Sequence, residues 1–547
     1  MKCARASASL LALSSALLLS PANATAQQEL FKLTASDAAP GDYFGRSVGI
    51  SADRAIVGSP NHGASDIGSA YIFDVTSGNE LFELFPSGGA AFGEFGVSVG
   101  ISGDRAIVGA RYDDGNGANS GSAYIFDVTT GQQLFKLVAS DGASSDEFGC
   151  SVAISGPRAV VGARADDDNG VDSGSAYIFD VATGAQLFKM TPTDGTAGDL
   201  FGQSVAMCGG RAVIGAPLDD DNDPDSGSAY VFDVTTGQEL FKLLASDGAF
   251  LDFFGGDVAC DAGLALIGAT GCDDYPDADS GAAYVFNLTT GQESSKLTAS
   301  DASSGDTFGR GVAMSGARAV IAAPYDDDNG SASGSAYLFD ATSGQELAKL
   351  IASDGDYLDL FGFGVAISGE HAIVGALQDE DAGQNAGSAY VFLTDVGSAY
   401  CFGDGSGSPC PCGNTGGAGE GCANSGGTGG QLMAFGSDSV AMDDLVLYGS
   451  HLPPSQPALL FAGANAVNGG NGAVFGDGLR CAGGSVARLG VGLPAANGYA
   501  TWGPGLGAMG AWGAGDTRRF QAWYRDPGGP CGTGFNLTNG TEITFSS

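Results

Sequence analysis

The chain has 547 residues, of which 92 are glycine, 43% are hydrophobic and 16% are charged, a balance that excludes a disordered chain and suits a turn-rich β protein with a large core. Its 63 acidic residues against 22 basic ones leave a formal net charge of -41. Such a surface repels phosphate backbones and anionic lipid, which excludes nucleic acid and electrostatic membrane binding and leaves cations, cationic polymers and a saline medium as counterparts.

The N-terminus reads as an export signal: Lys2 and Arg5 precede the apolar run Ala6 to Ser20, and Ala24-Thr25-Ala26 is a small-x-small cleavage site. Residues 1–26 are assigned to a signal peptide, with Gln27 opening the mature chain. No later stretch approaches the ~18 apolar residues that a spanning helix needs, so no membrane span is expected.

From about residue 29 to residue 393 the chain repeats one sentence. Phe-Gly recurs at Phe44, Phe95, Phe148, Phe201, Phe254, Phe308 and Phe361, with successive copies 51 to 54 residues apart, which marks a repeat architecture. Each copy holds four short apolar runs parted by turn residues. In the third they are Ser151 to Ser155, Ala159 to Gly162, Ala176 to Asp180 and Gln186 to Met190. Tyr177 and Phe179 face one way and Ala176 and Ile178 the other, so both faces are apolar, as a sheet between two neighbours requires. Seven such antiparallel sheets predict an all-β chain with a seven-bladed propeller over residues 27–393. The seventh copy stops after its third run, Ser388 to Phe392, while an extra fourth run, Leu30 to Leu33, precedes the first copy; this N-terminal strand is expected to close the last blade and remove an open edge.

The succession of Phe-Gly, then Gly215-Ala216-Pro217 or a relative such as Ala322-Ala323-Pro324, then GSAYxF resembles the FG-GAP repeat family, whose best known members are the integrin α-subunit propellers, and is most similar to its secreted bacterial branch. The resemblance covers two thirds of the chain; repeated seven times, it implies the propeller fold and does not by itself assign a function, because one fold hosts many. The family's calcium motif, DxDxDG between the FG and GAP strands, has no counterpart: Ser155-Gly156-Pro157-Arg158 and Ser315-Gly316-Ala317-Arg318 are bare turns.

Acidic residues gather instead in the loop from second to third strand and in the connection between blades. The loops carry Asp166, Asp167, Asp168 and Asp172 in blade three, Asp219, Asp220, Asp221, Asp223 and Asp225 in blade four, and Asp326, Asp327 and Asp328 in blade six. An Asp stands two residues before Phe-Gly at Asp42, Asp146, Asp199, Asp252, Asp306 and Asp359. In a four-stranded antiparallel blade both connections lie at one end, so one face of the disc is acidic. The alternation in Asp166, Asp168 and Asp172, in Asp219, Asp221 and Asp223, and in Asp326 and Asp328 offers oxygen ligands around a sharp turn, the chemistry of a Ca²⁺ site. Turn stabilisation by side chain to backbone bonds is the alternative, and the Asp before each Phe-Gly is expected to hold backbone amides.

Residues 394–430 form a Gly/Ser/Cys-rich linker, and 431–547 a small β-sandwich-like domain, with runs at Gln431 to Phe435, Leu445 to Tyr448, Ala458 to Ala462, Ser485 to Leu489, Arg519 to Tyr524 and Glu542 to Phe545. In an exported chain Cys401, Cys410, Cys412, Cys422, Cys481 and Cys531 read as disulfides, with a zinc site on the first four as the alternative. Cys208 and Cys260 occupy equivalent turns and either pair or stay isolated thiols. Trp502, Trp512 and Trp523 suit core packing, or sugar stacking if exposed.

Three histidines, His62, His371 and His451, stand near no nucleophile, and no GxSxG, HExxH or phosphate loop occurs. The expected function is an exported, non-enzymatic binding, adhesion or surface-associated protein: a monomeric propeller with an acidic face that binds an extracellular protein or polysaccharide, with Ca²⁺ the one cofactor suggested. The alternatives are a secreted hydrolase using face carboxylates and a structural cell-surface component.

Overall fold

A computed structural model describes residues 29–545 apart from 64, 273–278, 395–397, 406–407, 418–419, 436–439, 441–444, 495–497 and 504. The assigned signal peptide lies outside the described residues, as does most of the acidic loop of blade five. Among the described residues no helix is long and apolar enough to cross a membrane.

Blade three shows how the repeat folds. Its strands are Phe148–Ser155, Arg158–Ala163, Ser175–Asp180 and Gln186–Met190, each antiparallel to the next. The first hairpin closes where Ser155 faces Arg158, leaving Gly156-Pro157 as the turn. In the second, the Asp180 carboxylate accepts the amides of Ala182 and Thr183, and Gly184 takes the left-handed backbone, φ 69°, that completes the turn. The first strand starts three residues earlier than its apolar run because a bulge between Phe148 and Ser151 carries it toward the axis.

Alternation places the two faces of each blade in two cores. Tyr177, Phe179 and Val161 pack with Ile107, Ile125 and Leu137 of blade two, while Val160, Ile178 and Met190 pack with Phe201, Ile214 and Tyr230 of blade four. Phe148 meets Tyr177 and Phe179 edge-on at centroid distances of 5.5 and 5.8 Å, and every copy repeats this triad, as at Phe201 and Phe361. Gly149 has φ 91°, and a Cβ there would run into the Ser122 carbonyl of the preceding blade. Glycine is therefore required.

The ring closes as expected. The N-terminal strand Glu29–Leu33 pairs antiparallel with Ser388–Leu393 and completes the blade Phe361–Ser368, His371–Ala376, Ser388–Leu393. Leu33, Ile373 and Val391 then share a core with Phe44, Val57 and Tyr71 of blade one, so the seven four-stranded sheets form a propeller.

The C-terminal region packs a sheet containing Ala458–Gly463, Ala487–Gly492, Thr517–Arg525 and Gly540–Thr544 against a smaller one of Gln431–Phe435, Val446–Ser450 and Ala500–Trp502. Leu432, Leu447, Leu460, Phe520 and Ile543 fill the space between them. Trp502 and Trp512 belong to this core, which removes them from sugar stacking; Trp523 is half-buried against Phe535. Disulfides join Cys401 to Cys481, Cys410 to Cys422, and Cys412 to Cys531, so the zinc alternative on the first four cysteines falls: their sulfurs are consumed pairwise. Cys208 and Cys260 are bonded across blades four and five, while Cys150 and Cys272 are free thiols.

This region docks on blades six and seven at the end opposite the acidic loops. Arg318 bonds the Thr394 hydroxyl and lies over Phe435, Ser343 meets the Tyr448 hydroxyl, and Phe435, Tyr448 and Tyr499 join the core of Leu338, Leu350 and Tyr390.

Candidate functional site

The acidic loops of the free face are organised by a lysine. On the fourth strand of blade three, Lys189 stands opposite Tyr177, which directs its ammonium over the tyrosine ring toward the loops. There Nζ lies 3.0 Å from Asp166, 2.5 Å from Asp168 and 2.9 Å from Asp141 of the preceding connection. The buried Tyr177 hydroxyl donates to Asp166 at 2.8 Å. Lys242 does the same with Asp194, Asp219 and Asp221, Lys349 with Asp301, Asp326 and Asp328, and Lys32 of the closing strand with Asp354, Asp379 and Asp381. One ammonium thus joins the two loop sets, so both lie on one face.

Burial alone would lower the pKa of Lys189, Lys242, Lys349 and Lys32, but their hydrogen bonds to the carboxylates raise it. Burial pushes Asp141, Asp194, Asp326 and Asp354 up, and hydrogen bonds from the lysines and the buried tyrosines, together with the Asp328 amide at Asp326, more than offset it, holding them below the ordinary carboxylate range.

The eight proposed calcium ligands therefore divide. Asp166 with Asp168, Asp219 with Asp221, and Asp326 with Asp328 are brought together, each pair around an ammonium at the point where their carboxylates converge. Asp172 and Asp223 lie outside these clusters: the Asp172 amide donates to Asp167 and the Asp223 amide to Ser226. The Asp before each Phe-Gly is buried and accepts a backbone amide three residues earlier, as Asp146 does from Ala143 and Asp359 from Asp356, in line with the structural role expected of it. Sequence reasoning missed the lysines and the connection acids Asp141, Asp194, Asp301 and Asp354. Both recur at fixed offsets from the fourth strand, and that recurrence was the available signal.

A second site was not foreseen at all. The residue after Phe-Gly in every blade lines a 370 Å³ cavity on the propeller axis: Arg46, Val97, Cys150, Gln203, Gly256, Arg310 and Phe363. Arg111 and Arg164, which follow the second strands of blades two and three, reach the same space. Arg111 pairs with Glu94 at 2.7 Å, and Arg164 with Glu147 at 2.7 Å and Gln203 at 2.9 Å. Arg46 and Arg310 make no ion pair among the described residues; their guanidinium groups lie 5.4 and 4.6 Å from the centroid of the Phe363 ring between them. Burial, with Arg111 and Arg310 close by, depresses Arg46 to about 10. Asp257 on the wall is pushed up to about 6 by burial, although it accepts the amides of Val258 and Val312. The axial mouth thus offers two guanidinium groups without an ion pair and an aromatic ring, inside a rim where the loop carboxylates of blades three, four, six and seven are matched with lysines.

No curated protein matches the chain. The model of the FG-GAP repeat, however, matches it seven times, over residues 28–73, 79–126, 132–179, 185–232, 238–286, 292–339 and 345–392. These spans end with the third strand of each blade and begin with the fourth strand of the blade before, the same offset by which Glu29–Leu33 completes the ring. With well over half of its length covered and each match accounted for by a four-stranded sheet, the chain belongs to the FG-GAP repeat family.

Proposed function

We propose that this protein is an exported, non-enzymatic binding module that captures an extracellular ligand through an anionic group, a carboxylate or a sulfate, at the axial cavity of its propeller. The observation that carries this reading is the Arg46, Phe363, Arg310 set. Two guanidinium groups held without a direct ion pair, near a third in Arg111, repel one another in a partly desolvated space, and an anion relieves that repulsion while accepting their hydrogen bonds. The cavity volume suits one sugar residue or one acidic side chain. The charge of -41 is no obstacle, because at physiological salt fields decay over ~8 Å and the cavity's own groups dominate. The C-terminal domain docks at the opposite end and leaves this face open, and four disulfides suit an exported chain.

The hydrolase alternative would need a free carboxylate pair, whereas the clustered carboxylates of blades three, four, six and seven are bridged by ammonium groups. Titration calorimetry with glucuronate and with inorganic sulfate tests the binding reading. The mature protein should bind at least one of them, and Arg46→Ala with Arg310→Ala should weaken binding about tenfold to a hundredfold, the worth of one or two charge-assisted hydrogen bonds. Unchanged affinity in the double variant, or no heat with either anion, would overturn it.

A further inference from the structure

Blade one departs from the other six at the two positions that build the lysine cluster. Lys32, Lys136, Lys189, Lys242, Lys296 and Lys349 all stand opposite the buried tyrosine of their blade. In blade one the residue opposite Tyr71 is Glu83. Where the other loops begin with Asp113, Asp166, Asp219, Cys272, Asp326 and Asp379, blade one has His62. The cation of the cluster has become an anion, and the anion an imidazole. Asp37, the counterpart of Asp141, keeps its place.

The side chains of Asp37, His62 and Glu83 converge, with one ligand atom of each lying within 4.8 Å of the others. His62 Nε2 is 3.4 Å from Asp37 Oδ2 and 3.5 Å from Glu83 Oε1. A tetrahedral Zn²⁺ with bonds of about 2.0–2.1 Å sets its ligands roughly 3.3 Å apart, so those spacings already match two edges of the tetrahedron. The orientation of the imidazole is fixed from behind. Its Nδ1 lies 2.9 Å from the buried Asp42 carboxylate, so a neutral ring donates from Nδ1 and turns the Nε2 lone pair toward the two acids. A carboxylate behind a metal-binding imidazole is the usual supporting arrangement. Tyr71 donates to Asp37 Oδ1 at 3.0 Å and leaves Oδ2 facing the imidazole.

We propose that Asp37, His62 and Glu83 form a zinc site, in which a bound Zn²⁺ takes the position that a lysine ammonium holds in the other six blades. Everywhere else the cluster of loop and connection carboxylates contains its own cation. Here it lacks one and has gained an imidazole, which disfavours the hard, oxygen-seeking Ca²⁺ and Mg²⁺ and favours Zn²⁺. Three protein ligands leave a fourth position for water on the side where Asp37 is exposed.

The test uses the full mature protein after dialysis against a chelator, titrated with Zn²⁺ by calorimetry and followed by thermal melting, with Ca²⁺ as a parallel arm. The wild type should take up one zinc that Ca²⁺ does not displace, and its melting temperature should rise on loading. Glu83→Lys, which gives blade one the residue of its six sisters, should lose that equivalent while melting no lower than the unloaded wild type; His62→Ala should lose it as well. Uptake at Cys150, Cys272 or the acidic surface is common to all three proteins and cancels in the difference. Equal uptake by the wild type and both variants, or a wild type that binds no zinc, would overturn the proposal.

Discussion

Lys189 neutralises one buried and two exposed carboxylates at once, so its removal does not act as the loss of a surface ion pair. The exposed partners, Asp141 and Asp168, contribute little, whereas Asp166, only 3% exposed, would keep a charge with no counter-ion. Lys189→Ala is expected to cost about 3 kcal/mol in urea unfolding, the lower end for breaking a buried pair. It also vacates the point where three carboxylates meet. Excess Ca²⁺ should then restore part of the melting temperature of the variant and leave that of the wild type unchanged; equal responses in both would show that the ammonium does not hold the place of a cation.

Each blade is an element that cannot stand alone, because alternate residues of its strands belong to different cores. What joins one blade to the next is the Phe-Gly entry: the phenyl ring wedges between the tyrosine and phenylalanine of its own third strand, and the glycine lies against the backbone of the preceding blade. Gly149→Ala meets both a left-handed backbone, costing about 1–2 kcal/mol by itself, and a carbonyl that cannot move without shifting blade two. The variant should unfold with a loss above that range by chemical denaturation. Alanine at Gly156, also left-handed but with open space around it, should lose no more than the backbone term.

At the scale of the whole molecule, two sets of carboxyls pull stability in opposite directions with pH. Burial raises Asp146 and Asp199, and brings Asp306 and Asp359 to about 6. With unfolded values of ~3.9, their contribution is full below that pH and is lost as pH rises through the raised values, about 6 for Asp306 and Asp359. The lysine-bonded Asp141, Asp194, Asp326 and Asp354 are held low, so theirs is present above ~3.9 and lost as pH falls through the depressed values. Scanning calorimetry across pH should therefore find the highest melting temperature between about pH 4 and 6, and Asp306→Asn with Asp359→Asn should flatten the decline toward neutrality. A melting temperature that climbs steadily from pH 4 to 8 would contradict this balance.

The sequence by itself determined the blades, their number and the closing strand, because these follow from local rules: period-two alternation, turn residues at fixed offsets, and a missing fourth strand at one end matched by a surplus one at the other. It also located the carboxylates on one face, since strand connectivity alone assigns each loop to an end. Only the tertiary structure decided what those carboxylates touch. Asp141 and Asp166 belong to different blade connections and meet only through the reach of Lys189; Arg46 and Arg310, 264 positions apart in sequence, become neighbours of Phe363 only when the ring has closed. Cys208 and Cys260, whose equivalent turns left pairing and isolation both open, are joined because adjacent blades pack face to face. The period tells which positions recur, but not that side chains from different blades converge on an axis or across a blade boundary, because their proximity is a property of the ring and not of any one repeat.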